Sequence, residues 1–237
     1  MAESGLYDSF GRSIRDLRIS ITDRCNFRCL YCLPETEEAA DFFRSSTGKN
    51  RPTLIERTWK PRSHFLTYEE IFRVAKVLAK MGVQKIRLTG GEPLLRKEVP
   101  KLVHQLNGIS GIQDIALTTN GFCFASQAEA LRKAGLRRVT FSLDSLDREN
   151  FKKLTGRDGL DEVLMAIRSA RDLGFEPVKV NAVIIRDLND HEIDGIGAFF
   201  AESFRWMGNF GCGTKTGLRE FQDSCRSRPS RVVIQVS

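Results

Sequence analysis

The sequence contains no apolar run that approaches the length needed to cross a bilayer. Its amino-terminus also lacks the apolar core of a secretory signal and the Arg- and Ser-rich pattern of a transit peptide. We therefore expect no membrane partner. We predict a cytoplasmic protein, or a protein of the mitochondrial matrix if the source is eukaryotic.

The most basic segment, residues 44–62, lacks the interleaving of aromatic and basic residues that proteins binding single-stranded nucleic acid use. The formal net charge is +7, but much of the excess lies in one segment whose single acidic residue is Glu56. The basic residues of that segment are Arg44, Lys49, Arg51, Arg57, Lys60 and Arg62. Such a local excess is typical of a solvated loop and argues against a nucleic-acid partner.

Histidine is scarce, so few side chains could join a cysteine cluster as a further metal ligand. The most informative stretch of the chain contains three cysteines, Cys25, Cys29 and Cys32. Three thiolates at this spacing can hold a [4Fe-4S] cluster and leave one iron open for another ligand. A zinc site needs a fourth ligand, and the only nearby histidine, His64, lies in a different kind of segment. A disulfide needs an oxidising compartment. The zinc site and the disulfide stay as alternatives to the cluster.

A strand-then-helix rhythm runs through most of the chain. The predicted strands cover residues 17–22, 86–89, 115–118, 138–143 and 178–184. Thr67 and Glu70 predict the start of a helix that Gly82 ends, and Asn189 predicts the start of the last helix. Alternation of this kind implies an α/β fold with a parallel sheet and right-handed crossovers. The length of 237 residues and the 41% hydrophobic content fit one large domain with a core.

Two loops at the carboxyl ends of predicted strands carry the candidate chemistry. The cysteine run follows the strand at 17–22, and Gly90-Gly91-Glu92-Pro93 follows the strand at 86–89. In α/β barrels this end of the strands bears the active site. Glycines without a Cβ let a ligand approach the main chain, and Glu92 offers an acceptor for an ammonium group.

Each predicted strand has one apolar and one polar face, although a parallel sheet covered on both faces is apolar throughout. Three cations on the polar faces, Arg18, Arg87 and Lys179, are expected to converge on the concave side of the sheet. Burying them without partners would be costly, and arginine is well matched to phosphate oxygens. The pattern therefore favours an anionic ligand, with a water-filled face that binds nothing as the alternative.

Several motifs together carry a family resemblance. They are Gly11-Arg12, Arg15-Asp16-Leu17-Arg18-Ile19-Ser20, Thr22-Asp23-Arg24-Cys25-Asn26-Phe27-Arg28-Cys29 with Tyr31-Cys32, Ile86-Arg87-Leu88-Thr89-Gly90-Gly91-Glu92-Pro93-Leu94, and Thr118-Thr119-Asn120-Gly121. In these motifs the chain resembles the GTP 3′,8-cyclase family of the radical S-adenosylmethionine (SAM) superfamily, from about residue 8 to about residue 198. The resemblance implies a partial (β/α) barrel of the TIM type, an open parallel sheet with about five of the usual six strands.

The resemblance also implies a set of cofactors and ligands. Cys25, Cys29 and Cys32 would ligate a [4Fe-4S] cluster, whose open iron chelates the amino and carboxylate groups of SAM. Further cofactor contacts would come from Tyr31, Gly91, Glu92 and Ser142. Contacts to GTP would come from Arg18, Arg87, Thr118 and Lys179. No catalytic side chain is expected beyond the cluster and SAM, which supply the radical chemistry.

The implied reaction is the first step of molybdenum cofactor biosynthesis. A 5′-deoxyadenosyl radical, formed by reductive cleavage of SAM, removes the hydrogen at C3′ of GTP, and the resulting carbon radical closes onto C8 of the guanine. The product is 3′,8-cyclo-7,8-dihydro-GTP. The implied partners are GTP, an external electron donor, the downstream cyclic pyranopterin phosphate synthase and a second copy of the chain.

The chain departs from the family pattern in two places. We expect a radical SAM core over residues 1–198 that contains an insertion loop at 34–66, followed by a divergent, poorly ordered tail at 199–237. The tail does not show the family's second cysteine cluster, and the strand at 178–184 is expected to be an unpaired edge. The alternatives to a working cyclase are a truncated, catalytically impaired family member and a radical SAM enzyme with another substrate.

Overall fold

The computed structural model describes residues 5–47, 50–204 and 231–236. The described residues contain six strands, of which β1, β2 and β3 pair in parallel and β5 and β6 pair antiparallel. The strands are β1 (Asp16–Ser20), β2 (Lys85–Thr89), β3 (Asp114–Thr119), β4 (Arg138–Ser142), β5 (Val178–Ile185) and β6 (Arg231–Val236). The helices are α1 (Glu37–Thr47), α2 (Tyr68–Lys80), α3 (Val99–Asn107), α4 (Ala128–Lys133), α5 (Arg148–Thr155), α6 (Leu160–Asp172) and α7 (Ile193–Phe204). None of these described helices is both long and apolar enough to cross a membrane.

The chain divides into two compact units. The first contains the described residues of 1–26, 59–140 and 165–178, and with them β1, β2, β3, α2, α3 and α4. The second contains the described residues of 27–58, 141–164 and 179–237, and with them α1, α5, α7, β6 and most of β5.

The strands of the first unit confirm the predicted parallel sheet. Arg18 of β1 is the register partner of Arg87 of β2, which in turn is the partner of Ala116 of β3. In β2 the apolar residues Ile86 and Leu88 are at most 1% exposed, whereas Arg87 between them is half-buried. The predicted α/β class and the two-faced character of this strand are therefore confirmed.

Helix α2 begins and ends where the sequence predicts. The Oγ1 atom of Thr67 accepts a hydrogen bond from the N–H of Glu70 at 3.2 Å, and the Glu70 carboxylate accepts one from the N–H of Thr67 at 2.7 Å. These reciprocal bonds satisfy two backbone donors that the helix itself leaves unpaired. Gly82, at φ +102°, follows the last turn in a conformation that suits glycine.

The structure departs from the prediction after residue 198. Helix α7 continues to Phe204, and β6 pairs antiparallel with β5. The prediction that β5 is an unpaired edge is therefore wrong. The β6 sequence, Arg-Val-Val-Ile-Gln-Val, is rich in β-branched residues that favour a strand. The expectation for residues 205–230 lies outside the described residues.

The insertion at 34–66 contains a helix, α1, which the sequence pattern did not lead us to predict. The Oγ1 atom of Thr36 accepts a hydrogen bond from the N–H of Ala39 at 3.2 Å, at the start of that helix. Arg51 then forms ion pairs with Glu37 and Asp41 on α1. Part of the basic charge that suggested a solvated loop is thus used to hold a helix.

The short polar side chain of Asn189 led us to predict that it caps the last helix, but this prediction is wrong. Helix α7 begins at Ile193, after a 3₁₀ turn. The Asn189 side chain is buried instead. Its Oδ1 atom accepts a hydrogen bond from the N–H of Ile185 at 2.7 Å, and its Nδ2 atom donates one to the carbonyl of Asp144 at 2.6 Å. This amide therefore ties the end of β5 to the segment that follows β4.

Candidate functional site

In the first unit, the Gly-Gly-Glu-Pro loop lies against the backbone that leads into the cysteine run. The N–H of Gly91 donates to the carbonyl of Thr22 at 2.7 Å, and the N–H of Glu92 donates to the carbonyl of Arg24 at 2.7 Å. A Cβ on Gly91 would lie 2.3 Å from the Arg24 carbonyl oxygen, closer than real Cβ atoms come. The close approach that glycine permits here is made by the chain's own backbone.

The carboxylate of Glu92 is fully buried and is held by protein donors. Its Oε1 atom accepts from the Thr119 hydroxyl at 2.8 Å and from the N–H of Leu94 at 3.0 Å, and its Oε2 atom accepts from the N–H of Asn120 at 2.7 Å. Burial raises the pKa of Glu92, and these hydrogen bonds act in the opposite direction. Glu92 thus fixes the turn after β3, and its predicted contact to SAM stays a prediction.

Asn120 links that turn to the first part of the cysteine run. Its Nδ2 atom donates to Oδ1 of Asn26 at 2.8 Å and lies 3.9 Å from Sγ of Cys25. A hydrogen bond to a thiolate is one of the levers by which proteins tune a metal centre. Asn120 belongs to the Thr118-Thr119-Asn120-Gly121 motif, but no role was predicted for it. Its position directly after the carboxyl end of β3 is the signal that could have pointed to it.

Cys29 and Cys32 lie in the second unit, where a hydrogen bond links their side chains. That hydrogen bond lowers the pKa of the Cys32 thiol from 9.0 to about 7. Burial opposes the shift, the positive charge of Arg57 assists it, and the negative charges of Asp144 and Glu35 oppose it. A substantial share of the thiolate, the form that binds iron, is therefore present at neutral pH.

Arg57 belongs to the insertion and is anchored beside the cysteine run. It forms an ion pair with Glu35, and the two side chains are 13% and 12% exposed. The second Glu35 oxygen lies 3.9 Å from Nε of Arg28. The insertion therefore places a fixed positive charge close to Cys32, which its sequence gave no reason to predict.

The backbone of the cysteine run is docked on the carboxyl end of α5. The N–H of Arg28 donates to the carbonyl of Thr155 at 2.7 Å, and the N–H of Leu30 donates to the carbonyl of Leu154 at 2.9 Å. The last carbonyls of a helix have no hydrogen-bond donors within the helix. These bonds therefore satisfy both the helix carbonyls and the N–H groups of the cysteine run. Gly156, at φ +69°, lies so close that a Cβ there would be 2.8 Å from Cβ of Arg28.

Two of the predicted substrate contacts meet in the first unit. The Nη1 atom of Arg87 donates to the hydroxyl of Thr118 at 3.2 Å and to that of Thr140 at 3.1 Å. Burial lowers the pKa of Arg87, and the positive charges of Arg138 and Arg18 lower it further. A guanidinium crowded by two like charges is well placed to gain from a nearby anion.

Acidic residues on the same strands offset part of this charge. Asp114 forms an ion pair with Arg138, and both Asp114 and Asp16 counteract the lowering of the Arg87 pKa. We did not foresee these partners from the alternation pattern, because both aspartates are the first residues of their strands. With Arg138 paired to Asp114, Asp16 offsets one of the two remaining positive charges, which are those of Arg18 and Arg87.

The other predicted contacts lie in the second unit. Ser142 is the last residue of β4, and Lys179 is the second residue of β5, and both are half-buried. Because Lys179 belongs to the second unit and Arg18 and Arg87 to the first, the convergence of the three cations stays a prediction.

The cysteines suit the iron–sulfur cluster that the predicted family implies. Among the described residues, no three side chains of His, Cys, Asp or Glu form a ready metal site. Cys25 belongs to the first unit, and Cys29 and Cys32 belong to the second. The donor chemistry nevertheless fits, because thiolates are the ligands of such clusters and the pKa of Cys32 is about 7.

The model of the radical SAM superfamily matches residues 19–200 of this chain. This chain belongs to the radical SAM superfamily. Within that superfamily it is 45% identical, over 216 residues, to GTP 3′,8-cyclase of Acidothermus cellulolyticus, a match that covers 90% of this chain and 56% of the relative. It is 46% identical, over 189 residues, to GTP 3′,8-cyclase of Staphylococcus epidermidis, which covers 79% of this chain and 51% of the relative. The chain therefore spans about half the length of the curated relatives it matches.

Solved structures of radical SAM proteins share the fold. Streptococcus suis SuiB bound to S-adenosylmethionine matches with a TM-score of 0.58 and 21% identity, over 79% of this chain and 38% of that protein. The protein anSMEcpe with bound AdoMet matches with a TM-score of 0.59 and 17% identity, over 79% of this chain and 48% of that protein. The predicted radical SAM fold is therefore confirmed.

Proposed function

We propose that this radical SAM chain belongs to a GTP 3′,8-cyclase, which converts GTP to 3′,8-cyclo-7,8-dihydro-GTP in the first step of molybdenum cofactor biosynthesis. The observation that carries the proposal is the 45% identity to a protein of that name over 90% of this chain. Streptococcus suis SuiB bound to S-adenosylmethionine is 21% identical to this chain over 79% of it. The difference in identity favours this substrate over another one within the superfamily.

Cys25, Cys29 and Cys32 would hold the [4Fe-4S] cluster in this proposal. When bound, the cluster and SAM supply one-electron chemistry that splits the sulfonium and allows hydrogen abstraction. The chain's own contribution is to keep a thiol ready as thiolate, through the Cys29 hydrogen bond and the charge of Arg57. Gly91, Glu92, Tyr31 and Ser142 are the residues proposed to position SAM.

The polar face of the first unit would bind the phosphate groups of GTP. Arg87 is held by the hydroxyls of Thr118 and Thr140, so its guanidinium is oriented before a ligand arrives. Arg18 is its register partner on β1 and adds a second positive charge. Preorganised donors of this kind bind phosphate oxygens through charge-assisted hydrogen bonds. Lys179 is proposed as a further contact to GTP.

The proposal carries further partners with it. It requires an external electron donor for reduction of the cluster, and it makes cyclic pyranopterin phosphate synthase the consumer of the product. A second copy of the chain and a cytoplasmic location are part of the same proposal.

The test is anaerobic loading with iron and sulfide, followed by incubation with SAM, a reductant and GTP and chromatography of the products. Formation of 5′-deoxyadenosine together with a GTP-derived product supports the cyclase. Cleavage of SAM without a change in GTP would favour another substrate. Failure of both, after iron has been taken up, would favour a catalytically impaired family member.

Two variants separate the cofactor from the substrate in this assay. Cys25→Ala should abolish SAM cleavage, because it removes a proposed ligand. Arg87→Gln should raise the KM for GTP by about tenfold to a hundredfold and leave SAM cleavage within about twofold, since one charge-assisted hydrogen bond contributes roughly 1.5–3 kcal/mol. The matched control is Arg73→Gln on α2 in the same unit, where the arginine side chain is 72% exposed. Equal effects of Arg87→Gln and Arg73→Gln would contradict the phosphate site.

A further inference from the structure

Tyr31 lies between two of the proposed cluster ligands and is held by a buried acid. Its hydroxyl donates to Oδ2 of Asp144 at 2.5 Å. The other oxygen of that carboxylate accepts from the N–H of Val183 at 2.8 Å. Asp144 is 2% exposed, and its two oxygens are thus shared between the cysteine run and β5. All of these residues belong to the second unit.

The acid itself is fixed by the residues around it. The backbone carbonyl of Asp144 accepts a hydrogen bond from Nδ2 of Asn189 at 2.6 Å. The same Nδ2 atom donates to the carbonyl of Val183 at 2.9 Å, and Asn189 is fully buried. Asp144 is therefore a rigid point, because hydrogen bonds hold both its carboxylate and its backbone.

The cysteine run has a second anchor, which acts on a different part of it. Helix α5 accepts hydrogen bonds from the backbone N–H groups of Arg28 and Leu30. The Tyr31 hydroxyl extends the attachment towards Cys32, whose own N–H donates to the carbonyl of Cys29 at 2.9 Å. The run is thus held by its backbone on one side and by one aromatic side chain on the other.

We propose that Asp144 is a positioning residue, which holds the Tyr31 hydroxyl and thereby fixes the backbone between Cys29 and Cys32 where it meets SAM. The inference rests on the proposed function, in which that backbone contacts the cofactor. Asp144 does not touch the reacting atoms. It acts through Tyr31, as side chains that hydrogen-bond to the residues of a binding site commonly do.

The first test uses the full chain without iron, so it does not depend on the proposed reaction. Tyr31→Phe removes the hydroxyl and leaves the ring. We expect the amides of residues 27–33 to exchange with deuterium about tenfold faster, while amides elsewhere in the second unit keep their rates. A tenfold change corresponds to about 1.4 kcal/mol, close to the lower end of the range for a hydrogen bond to a charged group. Unchanged exchange at 27–33 would overturn the proposal.

The second test uses the loaded protein. Tyr31→Phe should raise the KM for SAM in the formation of 5′-deoxyadenosine by about tenfold, with the iron content unchanged and kcat within about twofold. It should also reduce the change that SAM causes in the electron paramagnetic resonance spectrum of the reduced cluster. A lower melting temperature with an unchanged KM and spectrum would mean a purely structural link and would contradict the proposal.

Further variants keep the result specific. Asp144→Asn can still accept from Val183 and face the Tyr31 oxygen with its amide, so we expect a smaller effect than that of Tyr31→Phe. Adding Asp144→Asn to Tyr31→Phe should change the exchange at 27–33 little further, because both act on one link. The controls are Tyr68→Phe and Ser145→Ala. In the wild type, the Tyr68 hydroxyl donates to the carbonyl of Lys97 at 2.7 Å, and the buried Ser145 hydroxyl donates to the Glu192 carboxylate at 2.7 Å.

These tests separate the two proposals. A wild-type chain that takes up no iron or cleaves no SAM contradicts the proposed function, and the exchange measurement on the iron-free protein still decides whether Asp144 positions the run. A wild-type chain that cleaves SAM while Tyr31→Phe leaves exchange, KM and spectrum unchanged supports the function and contradicts the positioning role.

Discussion

Two loops that the sequence singles out are held in opposite ways. In the first unit, the Gly-Gly-Glu-Pro loop is held by backbone bonds to Thr22 and Arg24, in a space where a single added carbon does not fit. In the second unit, the cysteine run is held by α5 carbonyls and by the Tyr31 hydroxyl. The first arrangement depends on the absence of a side chain, and the second depends on the presence of one. A substitution should therefore disrupt the first loop by collision and loosen the second by removing a bond.

The largest expected effect is that of Gly91→Ala. The new Cβ would lie 2.3 Å from the carbonyl oxygen of Arg24 and 2.6 Å from that of Asp23. Both are backbone atoms, so the loop has to move, and we expect a loss of about 3 kcal/mol or more in the free energy of unfolding. Denaturant titration of the iron-free chain measures it.

The matched control for this change is Gly108→Ala in the same unit. Gly108 has φ −80°, and a Cβ there would lie 3.5 Å from its nearest neighbour, which is an ordinary contact. We expect its free energy of unfolding to stay within about 1 kcal/mol of the wild type. Similar losses for the two variants would show that the tight approach at Gly91 does not hold the loop.

An intermediate effect is expected for Gly156→Ala, which tests how closely the cysteine run is docked on α5. Gly156 and Gly174 have nearly equal backbone angles, φ +69° and +71°. A Cβ at Gly156 would lie 2.8 Å from Cβ of Arg28, whereas nothing lies within 4 Å of one at Gly174. Gly174→Ala should therefore cost about 1 kcal/mol from its left-handed backbone alone, and Gly156→Ala about 1 kcal/mol more from the contact.

The comparison needs both the free energy of unfolding and deuterium exchange. Gly156→Ala should also speed exchange at Arg28 and Leu30, whose N–H groups donate to α5. Gly174→Ala should leave those amides unchanged. Equal losses in the free energy of unfolding for the two variants, with equal exchange rates at Arg28 and Leu30, would show that the cysteine run is not docked tightly on α5.

The smallest expected effect concerns the charge of Arg57. In the iron-free protein, alkylation of Cys32 should be half-maximal near pH 7, because the pKa of this thiol is about 7. Arg57→Gln removes a positive charge that favours the thiolate, so the midpoint should rise, by less than about one pH unit, because the hydrogen bond from Cys29 remains. Peptide mass spectrometry after iodoacetamide treatment across pH follows this cysteine separately from the others.

Arg44→Gln is the control for that experiment. Arg44 also belongs to the insertion, but it pairs with Asp41 on the surface, and its side chain is 57% exposed. Its removal should leave the midpoint for Cys32 where it is. A shift of equal size in both variants would indicate a general effect of net charge rather than a local one.

Local rules allowed much of the fold to be predicted. The strands follow from the alternation of apolar and polar residues, and the start of α2 follows from the Thr67 and Glu70 pair. The meeting of Arg87 and Thr118 follows from the same alternation on adjacent parallel strands. Each of these predictions needs only residues that are close in sequence, or on neighbouring strands with known register.

Other features were beyond prediction because their partners are distant or lie on the backbone. The protein donors of the Glu92 carboxylate were not predicted, because two of the three are backbone N–H groups, which the sequence does not distinguish. Nothing in the local pattern marks Asp144 as the partner of Tyr31. Helix α1 was not predicted because the basic residues around it suggested a solvated loop. Strand β6 was not predicted because the sequence before it has no regular periodicity.

The bond between Tyr31 and Asp144 joins residues that are 113 positions apart in the chain. At synthesis rates of about 5–20 residues per second, the aspartate leaves the ribosome roughly ten seconds after the tyrosine. The cysteine run therefore cannot gain this anchor until Asp144 has left the ribosome, and Val183 and Asn189, which hold Asp144, follow later still. Metal loading that needs the anchored run can begin only after this delay.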